Sequence, residues 1–154
     1  MMLNVMDQAP NFTLPQTDGT MVTLSSLKGN PVVLFFYPRD DTPGCTIESI
    51  AFSAKIDAFI ATGAKVFGIS KDGISSHVKF TTKHNLKVPL LSDEKGSVCE
   101  DYGVWKEKNM YGKKYMGIER TTYLIDEKGH IAMVWQKVKV AGHAEEVLAL
   151  IEKL

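Results

Sequence analysis

Val32-Val33-Leu34-Phe35-Phe36-Tyr37 runs straight into Pro38-Arg39-Asp40-Asp41-Thr42-Pro43-Gly44-Cys45, and this junction decides the fold. The apolar run predicts a strand buried on both faces, and hence central in a sheet covered on both sides. Over residues 46–61, Ile47, Ile50, Ala54, Ala58 and Ala61 recur at helical spacing, with Phe52, Ile56 and Phe59 beside them, so a helix follows the loop. Thr42 suits the N-cap, and Pro43 suits the first helical position, where its missing N–H has no intrahelical partner to lose. Cys45 then falls third, where a capping box would put Glu or Gln. A thiolate there takes the same stabilisation from free backbone N–H groups, the positive helix end and the Thr42 hydroxyl. Such surroundings make a cysteine reactive, and Cys45 is the leading catalytic candidate.

Upstream, Phe12-Thr13-Leu14, a turn at Thr17-Asp18-Gly19 and the alternating Met21-Val22-Thr23-Leu24 read as a hairpin, followed by a short turn over residues 25–29. Downstream, Gly63 stops the helix, and residues 65–70 form a strand parallel to the first by the crossover rule. Residues 73–85 read as a helix with Ile74, Val78 and Phe80 inward. A short extended segment at 89–93 and a brief helix at 97–102 come next. Residues 104–116 mix Lys106, Lys108, Lys113 and Lys114 with Trp105, Tyr111 and Tyr115 and read as a solvated loop. Glu107 interrupts the basic run, which argues against nucleic-acid binding. Strands at 121–126 and 131–135 pair about Glu127-Lys128-Gly129-His130, and a helix at 143–154 sets Val147, Leu150, Ile151 and Leu154 on one face. The pattern is an α/β sandwich without repeats or linkers, a single domain over residues 1–154.

The bulk properties narrow the function. Eighteen basic and eighteen acidic side chains cancel, so nothing marks a nucleic-acid or anionic-membrane surface. Two cysteines in 154 residues make no disulfide scaffold and fit a reducing compartment, so a cytoplasmic location is expected. The N-terminal MMLNVMDQAPNF lacks a basic region followed by a long apolar stretch, and no run of apolar residues is long enough to span a bilayer. His77, His84, His130 and His143 are scattered without ligand spacing, so no metal site is expected.

The spacing of Pro38, Thr42 and Cys45 resembles the Pro-x-x-x-Thr-x-x-Cys active-site signature of peroxiredoxins, and FYPRDDTPGCT (36–46) is similar to the peroxiredoxin Q, or bacterioferritin comigratory protein, group. The resemblance extends through APNFTLPQTDG (9–19), PLLSD (89–93), YGVW (102–105) and Glu119-Arg120-Thr121-Thr122. It implies a thioredoxin-like fold, with a central mixed sheet flanked by helices and an N-terminal β-hairpin extension. It also implies a cofactor-free peroxidase in which Cys45 attacks a hydroperoxide and becomes a sulfenic acid. Thr42, the helix-start N–H groups and Arg120 would stabilise the charge that develops, and Pro38 would shield the pocket. Glu48 resembles a residue common in this group, and its position equally suits a solvated helix carboxylate.

Many members of the group carry a resolving cysteine five residues after the first, where this chain has Ile50. Others place it in the later helix, where this chain has Thr81. The only other thiol is Cys99, which reads either as a packed small residue or as an unorthodox resolving cysteine. The expectation is a monomeric one-cysteine peroxidase recycled by thioredoxin, glutaredoxin or a small thiol. No Cys-x-x-Cys couple supports a thiol-disulfide oxidoreductase. A thioredoxin-fold binding or chaperone protein without turnover stays open, although it would not need Thr42, Cys45 and Arg120 together.

Overall fold

The computed structural model describes residues 3–154; Met1 and Met2, which open the N-terminal stretch MMLNVMDQAPNF, lie outside them. The junction folds as predicted. Strand β3 (Val32–Phe36) is buried along its whole length and occupies the centre of a five-stranded sheet of order β5-β4-β3-β8-β9. Strands β4 (Lys65–Ser70) and β5 (Leu90–Ser92) run parallel to it on one side, while β8 (Thr121–Ile125) and β9 (Ile131–Trp135) form antiparallel pairs on the other. The predicted N-terminal hairpin is β1 (Thr13–Pro15) with β2 (Met21–Thr23), closed by Gly19 at φ 87°. Among the described residues no helix is long and apolar enough to cross a membrane.

Alternation along β3 divides the interior in two. Val33, Phe35 and Tyr37 face the core covered by α1 (Pro43–Ala54), α2 (Ile56–Ala61), α3 (Ile74–His84) and α5 (His143–Glu152). Val32, Leu34 and Phe36 face the opposite core, covered by the N-terminal hairpin and α4 (Val98–Asp101). Phe35 stacks on Phe52 of α1 with ring centroids 4.4 Å apart and planes at 7°, which fixes the helix over the strand. Gly68 makes room for that ring: a Cβ there would lie 2.7 Å from Phe35 Cζ.

Four expectations need correction, the simplest being that the last helix ends at Glu152 and leaves Leu154 exposed. The segment expected as one helix over residues 46–61 is two, broken at Lys55, and its inward face is not the predicted one. Ile47 and Ile50 are exposed, as are Ala54, Ala58 and Ala61, while Cys45, Phe52, Ile56 and Phe59 are buried. Both sets recur at helical spacing, and the set with two phenylalanines prevails because burying it removes far more apolar area than burying three alanines. In α3, Phe80 points inward but Val78 does not; its place is taken by His77, which finds polar partners in the interior. Residues 104–116 are not a loop but most of a hairpin, β6 (Trp105–Met110) with β7 (Lys113–Ile118). Tyr111 and Gly112, at φ 53° and 79°, make its two-residue turn. Because much of this hairpin projects into solvent, its sequence shows no apolar alternation.

The two cysteines fall on opposite sides of the sheet, Cys45 with the Phe35 core and Cys99 with the Phe36 core. Loosening the first turn of α1 does not bring them together, because the sheet lies between. A disulfide needs Cα atoms within about 7 Å. A disulfide-forming oxidant applied to the native protein should therefore give no Cys45–Cys99 linkage in non-reducing peptide maps. Full linkage without denaturant would show that the sheet is no barrier.

Candidate active site

Cys45 is the third residue of α1 and has no solvent exposure. Thr42 takes the N-cap position with extended dihedrals, and Pro43 opens the helix. The Thr42 hydroxyl does not cap the helix; it donates to the Arg39 carbonyl at 3.0 Å. Pro38 is half-buried where the chain leaves β3.

Arg120 comes from the far end of the chain. The β3–β8 register pairs Phe36 with Thr121, which places the residue before β8 beside the loop that follows β3. Its Nη2 donates to Cys45 Sγ at 3.3 Å and its Nη1 to Glu48 Oε1 at 2.6 Å. Gly44 leaves space for the guanidinium, since a Cβ there would lie 3.1 Å from Nη2. The arginine's backbone is held by Val138 N–H, which donates to the Arg120 carbonyl at 3.0 Å.

Glu48 is not the solvated carboxylate that its helix position allows. It is 1% exposed, and its Oε2 has no hydrogen-bond partner among the described residues. Burial pushes its carboxyl up to about 7, although the Arg120 charge and hydrogen bond pull the other way. Burial dominates because only one of the two oxygens is paired. Burial and the Arg120 charge also push the Lys108 ammonium down, with the Cys45 sulfur opposing them; this puts the β6–β7 hairpin within the field of the site.

Two histidines that the sequence left unassigned are built into the walls. His77 is fully buried, with Nδ1 2.7 Å from Asp40 Oδ2 and Nε2 2.9 Å from the Leu91 carbonyl. Burial alone would lower its pKa, but Asp40, the Leu91 carbonyl and Asp72 together raise it above the ordinary 6.5. His143, at the start of α5, meets Thr122 Oγ1 through Nε2 at 2.8 Å and lies edge-on to Phe52 and Trp135. Burial, aided by the Arg120 charge, pushes it down to about 4. Neither residue has a sequence signal beyond its place at a helical position that faces the interior.

Cys99 is of another kind. Its backbone N–H donates to Asp93 Oδ2 at 2.8 Å, and burial with the Asp93 charge pushes its thiol far above the usual range. Such a thiol is inert at neutral pH.

A buried thiol at a helix start, bonded by an arginine just before the neighbouring strand of a mixed sheet, defines a cysteine-centred site on a thioredoxin-like scaffold. The chain belongs to the AhpC/TSA family, which it matches over residues 5–134. It is 53% identical over 148 residues to a putative peroxiredoxin Bcp of Coxiella burnetii, covering 96% of this chain and 98% of the relative. It is 42% identical over 154 residues to peroxiredoxin Bcp of Bacillus subtilis, covering 100% and 98%. The crystal structure of a Xylella fastidiosa PrxQ cysteine-to-serine variant superposes with a TM-score of 0.93 at 38% identity, covering 99% of this chain and 98% of that one. A Xanthomonas campestris bacterioferritin comigratory protein, studied for alkyl peroxide reduction, superposes at 0.87 with 44% identity, covering 92% and 90%.

The two histidines act on stability with opposite sign. His77, with a raised pKa, contributes stability fully present below pH 6.5 and lost as pH rises through its folded value. His143, with a lowered one, contributes stability present above pH 6.5 and lost as pH falls towards about 4. Replacing His143→Phe leaves Thr122 without its partner, which is a pH-independent cost. The stability difference between wild type and variant should therefore shrink from pH 7 to pH 4 in urea titrations. A difference constant over that range would show that His143 is not held neutral.

Proposed function

We propose that this protein is a thiol-dependent peroxidase that reduces hydrogen peroxide and organic hydroperoxides at Cys45, with Arg120, Thr42 and Pro38 completing the site. The contact that carries the reading is the Arg120 Nη2 to Cys45 Sγ hydrogen bond of 3.3 Å, made by a guanidinium whose other arm is anchored on Glu48. A fixed cation beside the sulfur stabilises the negative charge that grows as the O–O bond breaks.

The Cys45 thiolate attacks the distal oxygen of ROOH. The S–O bond forms as the O–O bond breaks, and RO⁻ leaves and takes a proton to become ROH, with sulfur oxidised to sulfenic acid. Helix-start N–H groups and Arg120 face the developing charge. Because the Thr42 hydroxyl hydrogen is given to the Arg39 carbonyl, its oxygen is free to accept a hydrogen bond from the hydroperoxide O–H. Thr42 then orients the substrate rather than donating to the sulfur. Pro38 limits water at the loop edge. Glu48 positions Arg120.

An external thiol completes the cycle: its sulfur attacks the sulfenic sulfur, a mixed disulfide forms and water leaves, and a second thiol releases Cys45. Thioredoxin, glutaredoxin or a small thiol meets this need, acting on a monomeric, single-domain chain in a reducing cytoplasm. The separation of Cys45 from Cys99 by the sheet supports recycling by an outside reductant.

Cys45→Ser should abolish peroxide consumption in a coupled dithiol assay and leave the circular dichroism spectrum unchanged; substantial remaining turnover would move the chemistry to another residue. Arg120→Ala should slow Cys45 oxidation by roughly 10²–10³-fold, the cost of one lost charge-stabilising donor. Stopped-flow oxidation at the wild-type rate would remove Arg120 from the mechanism.

A further inference from the structure

Cys45 has no solvent exposure, so the closed loop leaves no approach for a protein thiol that must bring its own sulfur into line with the oxidised cysteine. Access then depends on what holds the loop between β3 and α1. Asp40, in the middle of that loop, is buried and is the most heavily bonded side chain in it. Its Oδ1 accepts from the Tyr37 hydroxyl at 2.6 Å, and its Oδ2 accepts from Ser76 Oγ at 2.8 Å and bonds His77 Nδ1 at 2.7 Å. Its own backbone N–H donates to Asp72 Oδ2 at 2.8 Å. His77 is itself fixed by Nε2 on the Leu91 carbonyl. With a carbonyl at one nitrogen and a carboxyl group at the other, the ring can donate from both, an arrangement that favours its charged form. At the next residue, Asp41 sits at φ 59° and bonds Lys83 and His84 of the same helix, but in the open, where such pairs contribute little.

We propose that Asp40 and His77 form a latch that ties the Cys45 loop to α3, and that its opening governs how fast a protein reductant reaches oxidised Cys45. The proposal deepens the peroxidase reading and rests on it. His77 acts through Asp40 on the loop and touches neither sulfur nor substrate, so both are positioning residues. The groups around the pair are Tyr37 directly after β3, Ser76 from α3, the Leu91 carbonyl from β5 and Asp72 from the turn after β4. All of these except Tyr37 lie outside the loop and the strand that leads into it, so opening the latch moves the loop and leaves the sheet in place.

Hydrogen exchange read by mass spectrometry tests this in wild type, His77→Asn, Asp40→Asn and Ser76→Ala. Each asparagine keeps a hydrogen-bonding side chain and removes the charge. Amides of residues 40–46 should exchange about tenfold faster or more in the two asparagine variants and a few-fold faster in Ser76→Ala, as expected for charged and neutral hydrogen bonds respectively. Protection in β3 and β8 should not change. In parallel, the reduction of preformed Cys45 sulfenic acid by thioredoxin should speed up relative to its reduction by dithiothreitol. Unchanged loop exchange, or an increase spread equally over β3 and β8, overturns the latch. Should the buried variants fail to fold, Ser76→Ala, at a partly exposed position and lacking one bond only, puts the latch to the same test. The exchange measurement needs no peroxide, so a protein whose Cys45 resists oxidation would refute the peroxidase reading separately.

Discussion

Arg120 reaches Cys45 only because β8 lies antiparallel to β3 in the register that pairs Phe36 with Thr121, and the site depends on that one alignment. The two residues are 75 positions apart in sequence, and a slip of one residue would turn the Thr121–Ile125 side chains to the other face and carry the guanidinium away. The register is well specified because β3 and β8 are buried on both faces, so every side chain would have to be repacked by a slip. Packing therefore determines where the charge stands before any catalytic requirement is met.

The charge itself is held at a cost. Arg120 and Glu48 meet in a largely dry place, where the loss of hydration consumes most of what their attraction returns. The raised carboxyl of Glu48 and its unpaired Oε2 are signs of that cost. What the arrangement gains is direction: one arm of the guanidinium is fixed on the helix that carries Cys45, so the other arm cannot turn away from the sulfur. Gly44 completes the fit by leaving the volume that the guanidinium fills.

The central strand, the helix start with Thr42, Pro43 and Cys45, and the parallel crossover to β4 were legible because each rests on local chemistry: a continuous apolar run, an N-cap followed by proline, a strand after a helix. Arg120 was legible only through the family resemblance, since no local pattern says which distant strand will pair with β3. The inward face of α1 was misread because two apolar series share its period, and area, not spacing, decides between them. The structural roles of His77 and His143 are not legible in the sequence for a related reason. A buried histidine is made acceptable by partners elsewhere in the chain, here Asp40 and Thr122, and those contacts exist only after folding. The β6–β7 hairpin was hidden by its mostly solvated faces, although its Tyr111-Gly112 turn sits within the stretch that was read as a loop.

The same geometry explains how a chain of this group can lack the usual second thiol. Ile50 occupies one position where relatives of this kind carry it, and the structure leaves that side chain on the exposed face of α1, turned from the core that holds Cys45. Thr81 occupies the other, on α3, where its hydroxyl is buried without a partner among the described residues. Cys99 lies on the other side of the sheet, with its thiol pushed up by burial and by Asp93. On the proposed function, an oxidised Cys45 has no thiol on its own side of the sheet to meet, and its protection falls to the loop that encloses it. Tight closure shields the sulfenic acid from further peroxide, yet it also delays the reductant. In the proposed latch the balance between the two is set by the contacts that fasten the loop to α3, and these involve neither the Cys45 sulfur nor Arg120.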